Sequence, residues 1–434
     1  RITHLNLYAV QALLARAYAH FCLLTLFADF FDTNNLAANP GIPYVTEPET
    51  VVIKHYDRET AAQTLEHVLK DLEEGMQLVG GSSDYDQPKF HFTRDAAAAL
   101  GARIALFSRN YNDVIRYANM LLPTPTQHFA LSYTDDTPVL NADGSPAQGV
   151  DPNDAADQFM RSNLHDWRTY IKSGNPDQMG TDFTSASANA NLLLTECVTL
   201  AYREMVGTAY VRHAMERTAM VTLLTENVTG DPWIFQNVAY QWNGGRTYWL
   251  PKFYEDFKID NPVAQTGVPY SKCALLRLEE VLLARAEAYA MLGNYDGALD
   301  DLNMFAACRI DDYAYGPNTL YKDKLTDYYT AQLNAPDHFI NSAYNAGRFK
   351  AGDEGNVQKA LILTVLDFRR IEFLYEGIRY WDVLRWNIPV THTTIDGATS
   401  TLTPDDDRRI LQIPQIATAS GIQLNDMVNI PYPW

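Results

Sequence analysis

Three short stretches of this chain repeat one pattern, and that repetition limits the folds open to it. They read "ALLARAYAHF" (Ala12–Phe21), "ALGARIALF" (Ala99–Phe107) and "VLLARAEAY" (Val281–Tyr289). In each, small residues surround an arginine (Arg16, Arg103, Arg285), and an aromatic follows four or five positions later. The second continues as "SRNYNDVIRYANMLL" and the third as "AMLGNYDGALDDLNMFA", and in both an Asn-Tyr pair marks a turn between two helices. Leu275, Leu278, Leu282, Ala286 and Tyr289 recur three or four apart, as one face of a helix requires. Ala298, Leu299, Leu302, Phe305 and Ala306 do the same on the next helix. Small residues on such faces let paired helices approach closely. Pairs of this kind bury their apolar faces by stacking on their neighbours, as tetratricopeptide-type units do.

Further helices fit the pattern. Asp57 is read as an N-cap before "RETAAQTLEHVLKDLEEG", with Gly75 as the stop. Thr93 caps a helix that begins at Asp95, and Leu361, Thr364, Val365, Phe368, Ile371 and Tyr375 form another stripe. Between the helices the character changes. Residues 123–190 are rich in Pro, Asn, Asp, Gly and Ser. Residues 226–271 carry dense aromatics, and a third irregular piece runs from 311 to 355. Structureless stretches of this size are uncommon inside a compact domain unless they have a function. The chain therefore reads as one domain, 1–434. A helical scaffold occupies about 1–122, 272–310 and 356–390, and a loop-rich lobe occupies about 123–271 and 311–355.

A net charge of −19 argues against a nucleic-acid binder, which needs a basic stripe, and against docking on an anionic leaflet. The four cysteines, Cys22, Cys197, Cys273 and Cys308, have no zinc-like spacing and read as buried free thiols. No run approaches the length of an apolar membrane span. The sequence starts at Arg1, which reads as a processed chain whose signal peptide and lipidated cysteine lie outside it.

The stretch "DFRRIEFLYEGIRYWDVLRW" (Asp367–Trp386) threads eight charges through one of the most aromatic segments of the chain. Together with "LLRLEEVLLARAEAYAMLGNYDGALDDLN" it resembles the SusD/RagB family. The matching residues are Arg277, Glu280, Arg285, Ala286, Glu287, Ala288 and Tyr289. They are followed by Arg369, Arg370, Glu372, Glu376, Gly377, Arg379, Asp382, Arg385 and Trp386. "ALLARAYAHFCLLTLFADF" resembles the family's first helix, with Ala28 where glycine is usual, and "DDRRILQIPQIATASGIQLND" resembles its C-terminal segment. The resemblance implies an all-α fold of tetratricopeptide-like helix pairs forming a right-handed superhelical scaffold, with an inserted loop-rich lobe. It implies a cell-surface lipoprotein of Bacteroidota, on the extracellular face of the outer membrane. Such a protein acts as a lid on a SusC/RagA-like TonB-dependent transporter, to which it delivers oligosaccharides or, in some members, peptides. It implies no catalysis and no cofactor. The charges of Asp367–Trp386 then read as partly buried ion pairs, with Gly377 as a helix C-cap.

The family's ligand sites use aromatic platforms on the insertions. A sugar ring packs its C–H face on an indole or phenol, while its hydroxyls seek Asn, Asp, Arg or backbone groups. The candidates here are Trp233, Tyr240, Trp242, Asn243, Arg246, Tyr248 and Trp249. Gly244-Gly245 supply a tight turn, and "YQWNGGRTYW" alternates as a short hairpin. The bland reading is a small satellite core beneath the loop. Asn34 and Asn35 in "FDTNNLAANP" form a second candidate, against a solvated turn. Trp167, Arg168 and Tyr170 form a third, against ordinary packing. No metal site is expected. "VLNADGSP" has Val139 where a calcium loop needs its first Asp, and Asp405-Asp406-Asp407 beside Arg408 and Arg409 reads as a self-compensated turn. No G-x-S-x-G elbow, P-loop or G-x-G-x-x-G is present. The readings carried forward are glycan capture, with peptide capture as the alternative and a general tetratricopeptide interaction scaffold after that.

Overall fold

The computed structural model describes residues 4–31, 34–123, 133–134, 137–138, 160–198, 203, 215–241, 248–314, 316–394, 396–404 and 406–426. The first repeat lies in helix α1 (His4–Phe27), which packs against α2 (Ala61–Leu78). The second spans α3 (Arg94–Phe107) and α4 (Tyr111–Ala118), and the third spans α5 (Leu278–Leu292) and α6 (Tyr295–Arg309). The Asn-Tyr turns are N-caps: Asn110 accepts from the Asp113 amide and Asn294 from the Gly297 amide. Helices α7 (Gly352–Glu372) and α8 (Ile378–Arg385) complete the scaffold, with α7 lying across α5 and α6.

On α1 the buried face is Val10, Leu14, Ala17, Phe21 and Leu24. Leu14 fits where α2 carries Gly75; a Cβ there would lie 2.6 Å from the leucine side chain. Gly75 is thus a helix contact, and α2 runs on to Leu78 rather than stopping. Its N-cap is Thr60, not Asp57, because Thr60 and Gln63 close a capping box three residues further on. Thr93 caps α3 as expected.

The repeated arginines explain the repeats. Arg16 Nη2 donates to Asp71 Oδ1 on α2 at 2.7 Å. Arg285 Nη2 donates to Asp301 Oδ1 on α6 at 2.7 Å, and its Nη1 to Asn119 Oδ1 at 2.9 Å. Arg103 on α3 reaches sideways, donating through Nε to Glu280 Oε1 on α5 at 2.8 Å. Two of the three thus tie a helix to its own partner, and the third ties one pair to the next. Small neighbours leave room for the guanidinium between the helices.

The chain is predominantly helical, but the all-α expectation overlooks several small sheets. Strands β1 (Asn191–Cys197), β4 (Glu255–Asn261) and β5 (Thr266–Arg277) form an antiparallel sheet in the order β1-β5-β4. Between β1 and β4 in sequence lies a two-stranded pair, β2 (Tyr240–Gln241) and β3 (Tyr248–Trp249). Leu275 belongs to β5 and not to the helical stripe; α5 starts only after Arg277. The β4–β5 hairpin exposes Phe257, Ile259, Val263 and Val268. The four cysteines are thiols outside any disulfide; Cys308 is buried and the other three are half-buried.

One helical stretch, Leu7–Phe27, does reach the length and apolarity of a membrane span, contrary to the reading of the sequence. Its buried stripe packs on α2, and Arg16 in its middle pairs with Asp71, so within this fold it is a core helix.

Removing Arg285 leaves Asp301 buried without its cation. Arg285→Met is expected to destabilise the protein by about 3–5 kcal/mol in denaturant unfolding, and Arg285→Met with Asp301→Leu by clearly less. Equal losses for the single and double variants would show that the pair does not couple the two helices.

Candidate ligand site and its anchoring

The charges of Asp367–Trp386 are wired into the core. Glu372, at the end of α7, accepts from Arg277 Nη1 at 3.0 Å and from Arg309 Nε at 2.8 Å. Arg309 Nη2 also donates to Glu279 Oε1 at 2.9 Å, where His165 Nδ1 lies 2.8 Å away. Asp382 on α8 accepts from Arg369 Nε at 3.0 Å and Arg385 Nε at 2.9 Å, and Arg385 Nη2 donates to Glu287 Oε2 at 2.7 Å. The expected ion pairs are therefore present, and burial is complete rather than partial for Arg369, Glu372 and Asp382.

Burial pushes the Glu279, Glu372 and Asp382 carboxyls up, and the cations reverse it. Glu279 is held well below the ordinary carboxylate range by His165, Arg277 and Arg309. Glu372 lies below it through Arg309, Arg277 and Lys252, and Asp382 through Arg369, Arg385 and Arg379. Asp301 goes the other way, since burial outweighs Arg285 there.

Gly377 is not the C-cap of α7. That helix ends at Glu372, and Tyr375 (φ +70°) and Gly377 (φ +80°) turn the chain so that Gly377 becomes the N-cap of α8. Tyr375 accordingly leaves the helical stripe. The turn meets the aromatic hairpin. The Tyr375 hydroxyl donates to the Tyr248 carbonyl. Lys252, just beyond β3, is fully buried and donates to the Glu372 carbonyl and to Glu376 Oε1, the latter at 2.7 Å. Burial lowers the Lys252 ammonium, although Glu376 and Glu372 oppose this.

The hairpin itself has the expected pairing, with Tyr240 opposite Trp249 and Gln241 opposite Tyr248. Trp233 does not belong to a platform. It has no exposed surface, and its ring meets Phe368 edge-on at 5.3 Å and Phe305 at 5.7 Å. The bland core reading holds for Trp233, because its ring packs on Phe305 of α6 and Phe368 of α7 while its amide donates to the Leu224 carbonyl within the lobe. Trp249 is only 6% exposed and serves mainly as the hairpin's foot. Trp242, Asn243 and Arg246, with Gly244-Gly245, lie outside the described residues, as do Val139 and Asp405. Asn34 and Asn35 are exposed in the turn between α1 and α2, where the Asn35 carbonyl accepts from the Ala38 and Asn39 amides. They are held by a different part of the scaffold from the hairpin. Trp167 is buried, and Arg168 donates to the Ala307 and Ile310 carbonyls at the end of α6, which is ordinary packing. Among the described residues, no three His, Cys, Asp or Glu side chains gather to hold a metal ion.

Sequence reasoning does not single out Lys252, and it places Tyr375 on a helix. Both act through contacts more than a hundred residues away in sequence, which periodicity cannot reveal.

Stacked helix pairs locked by buried arginines, carrying a small-sheet insertion, define a helical scaffold protein with an appended lobe. Residues 224–409 match the SusD family and residues 3–106 a related family described as starch-binding, associating with outer membrane. The chain belongs to the SusD family. Solved structures share its fold. A SusD superfamily protein from Bacteroides thetaiotaomicron has 19% identity and a TM-score of 0.59, over 97% of this chain and 78% of that one. A SusD superfamily protein from Bacteroides vulgatus has 17% identity and a TM-score of 0.55, over 97% and 78%. A SusD-like carbohydrate-binding protein from Bacteroides vulgatus has 14% identity and a TM-score of 0.53, over 96% and 76%. Comparison with curated proteins gives no match.

The wired carboxylates predict acid sensitivity. Glu372 is ionised more readily in the folded than in the unfolded chain. Its contribution is therefore complete above the ordinary carboxylate value and is lost as pH falls through its lower folded value. Glu372→Gln is expected to cost about 3 kcal/mol at pH 7 and to flatten the fall in stability below about pH 4.5, measured by urea unfolding at several pH values. Parallel pH profiles for the two proteins would count against this role.

Proposed function

We propose that this protein is a cell-surface nutrient-binding lipoprotein that captures oligosaccharides and passes them, as a lid, to a SusC-like TonB-dependent transporter in the outer membrane. The observation that carries the reading is the aromatic strand pair Tyr240–Gln241 and Tyr248–Trp249, anchored at its feet to the scaffold of a SusD-family fold. The family description names starch binding and association with the outer membrane, and one structural neighbour is a carbohydrate-binding protein. Residues 242–247, which close the strand pair, supply Trp242 as a face for a sugar ring. Asn243 and Arg246 supply partners for its hydroxyls. Tyr240 and Tyr248 flank them, and Asn34 and Asn35 form a second contact region.

The helix pairs α1–α2, α3–α4 and α5–α6 support a tetratricopeptide-like, right-handed superhelical scaffold. In this reading it spans about 1–122, 272–310 and 356–390, while the lobe of about 123–271 and 311–355 meets the ligand. In this reading a lipid anchor holds the protein at the outer membrane, and the role is binding without catalysis.

Isothermal titration against plant, host and microbial oligosaccharides, with a mixed peptide digest alongside, tests the reading. Heat is expected from one glycan class. Trp242→Ala is expected to weaken that binding about tenfold or more, with an unchanged thermal midpoint. Trp249→Ala is the poorer variant, since its buried ring also supports the fold. Heat from the digest alone would sink glycan capture, and a Trp242→Ala protein that binds as tightly as the parent would remove the platform.

A further inference from the structure

Between α1 and α2 the chain crosses back over the first helix pair, and one histidine receives it there. His20, on α1, is buried. Its Nδ1 lies 2.9 Å from the Arg16 carbonyl, one turn back on the same helix, and its Nε2 accepts from the Val45 amide at 3.0 Å. A carbonyl only accepts and an amide N–H only donates, so Nδ1 carries the proton and Nε2 presents a lone pair. Both nitrogens are thereby committed in the neutral ring. A second proton has only Nε2 to bind, where it meets the Val45 N–H. The groups facing the ring come from three elements. Arg16 lies on α1, Asp71 on α2 and Glu59 just ahead of α2. From the crossing segment, the Tyr44 ring lies 4.2 Å from His20 and stacks on His67 at 5.0 Å, while its hydroxyl donates to Asp71 Oδ2 at 2.6 Å. Arg16 Nη1 reaches the Thr46 carbonyl at 3.4 Å. Burial lowers the His20 ring below the ordinary histidine value, although its bond to the Arg16 carbonyl, Asp71 and Glu59 oppose this.

We propose that His20 is an acid-operated catch: a proton on Nε2 breaks its bond with the Val45 amide and loosens Pro43–Thr46 from the first helix pair. This holds whatever the protein binds. The neutral ring is favoured in the fold, so its contribution is complete above the ordinary histidine value and is lost as pH falls below it, through the lower folded value. Asp71 stays ionised meanwhile: burial raises its carboxyl, but the bonds from Arg16 and Tyr44 bring it below the ordinary range. Opening is confined to a short stretch. On one side Thr64 Oγ1 on α2 donates to the Ile42 carbonyl at 3.1 Å, and on the other the Tyr56 amide donates to the Ser420 carbonyl at 2.9 Å. Tyr44 and Arg16 share the hold on the segment, so the expected change is local loosening and not unfolding.

Hydrogen–deuterium exchange of the whole chain at about pH 7.5 and about pH 5, each rate referred to the intrinsic chemical rate at the same pH, tests the catch. Peptides covering residues 43–47 are expected to lose about fivefold of their protection at the lower pH, while peptides from α5 keep theirs. His20→Gln places a neutral acceptor near the position of Nε2 that does not titrate, and is expected to abolish the pH dependence. His67→Gln removes the other ring stacked on Tyr44 and is expected to leave it intact. Protection of 43–47 that does not change with pH in the parent would overturn the proposal. An equal fall in every peptide would overturn it too, since the proton would then act on global stability. A local fall that persists in His20→Gln, or that disappears in His67→Gln, would assign the sensor elsewhere and sink the catch. The parent and His67→Gln decide the question even where His20→Gln fails to fold.

Discussion

Glu372 is the point on which this architecture turns. Its carboxylate collects Arg277 from the end of β5 and Arg309 from the end of α6, and its backbone carbonyl receives Lys252 from the lobe. A charge so completely buried is tolerable only when its partners are held in place. Strand, helix ends and insertion are thereby obliged to meet at one spot. Neighbouring Glu279 repeats the arrangement with Arg309 and His165, the latter contributed by another insertion. The scaffold is therefore stitched to its lobe through charge, not only through apolar contact.

Inside the scaffold a second device is used repeatedly. One arginine per repeat crosses to a carboxylate, twice within a helix pair and once between pairs. Apolar faces alone permit neighbouring helices to slide by a turn at modest cost. A bidentate guanidinium–carboxylate contact fixes the offset, because its two donors match only one position of the acceptor.

Much of this was legible beforehand. Period and small-residue spacing located α1, α3, α5, α6 and α7, and the Asn-Tyr pairs gave two N-caps. The density of charge in Asp367–Trp386 announced buried pairs. Boundaries were harder to read. Asp57 and Thr60 are both sound caps, and only the reach of Gln63 decides between them. Gly75 looks like a stop because the Leu14 side chain that needs its bare backbone is sixty residues away. The sheet β1-β5-β4 was hidden because β5 contains Pro269 and Gly267 and because its pairing with β1 spans a long sequence separation. For the site, the strand pairing could be read from alternation, but the depth of Trp233 could not. An indole in an aromatic-rich insertion looks the same in sequence whether it faces solvent or Phe368.

The charges along one edge of that sheet bear on how molecules associate. Among the described residues β4 is one of the two edge strands, and along it Asp256, Lys258 and Asp260 alternate with the exposed Phe257 and Ile259. An open strand edge lined with apolar side chains is a template onto which other chains zip. Here a newcomer must bring its own backbone against charges of both signs set at every second place. Those three side chains disfavour edge-to-edge pairing between molecules, so association is opposed by charge on a strand far from the core.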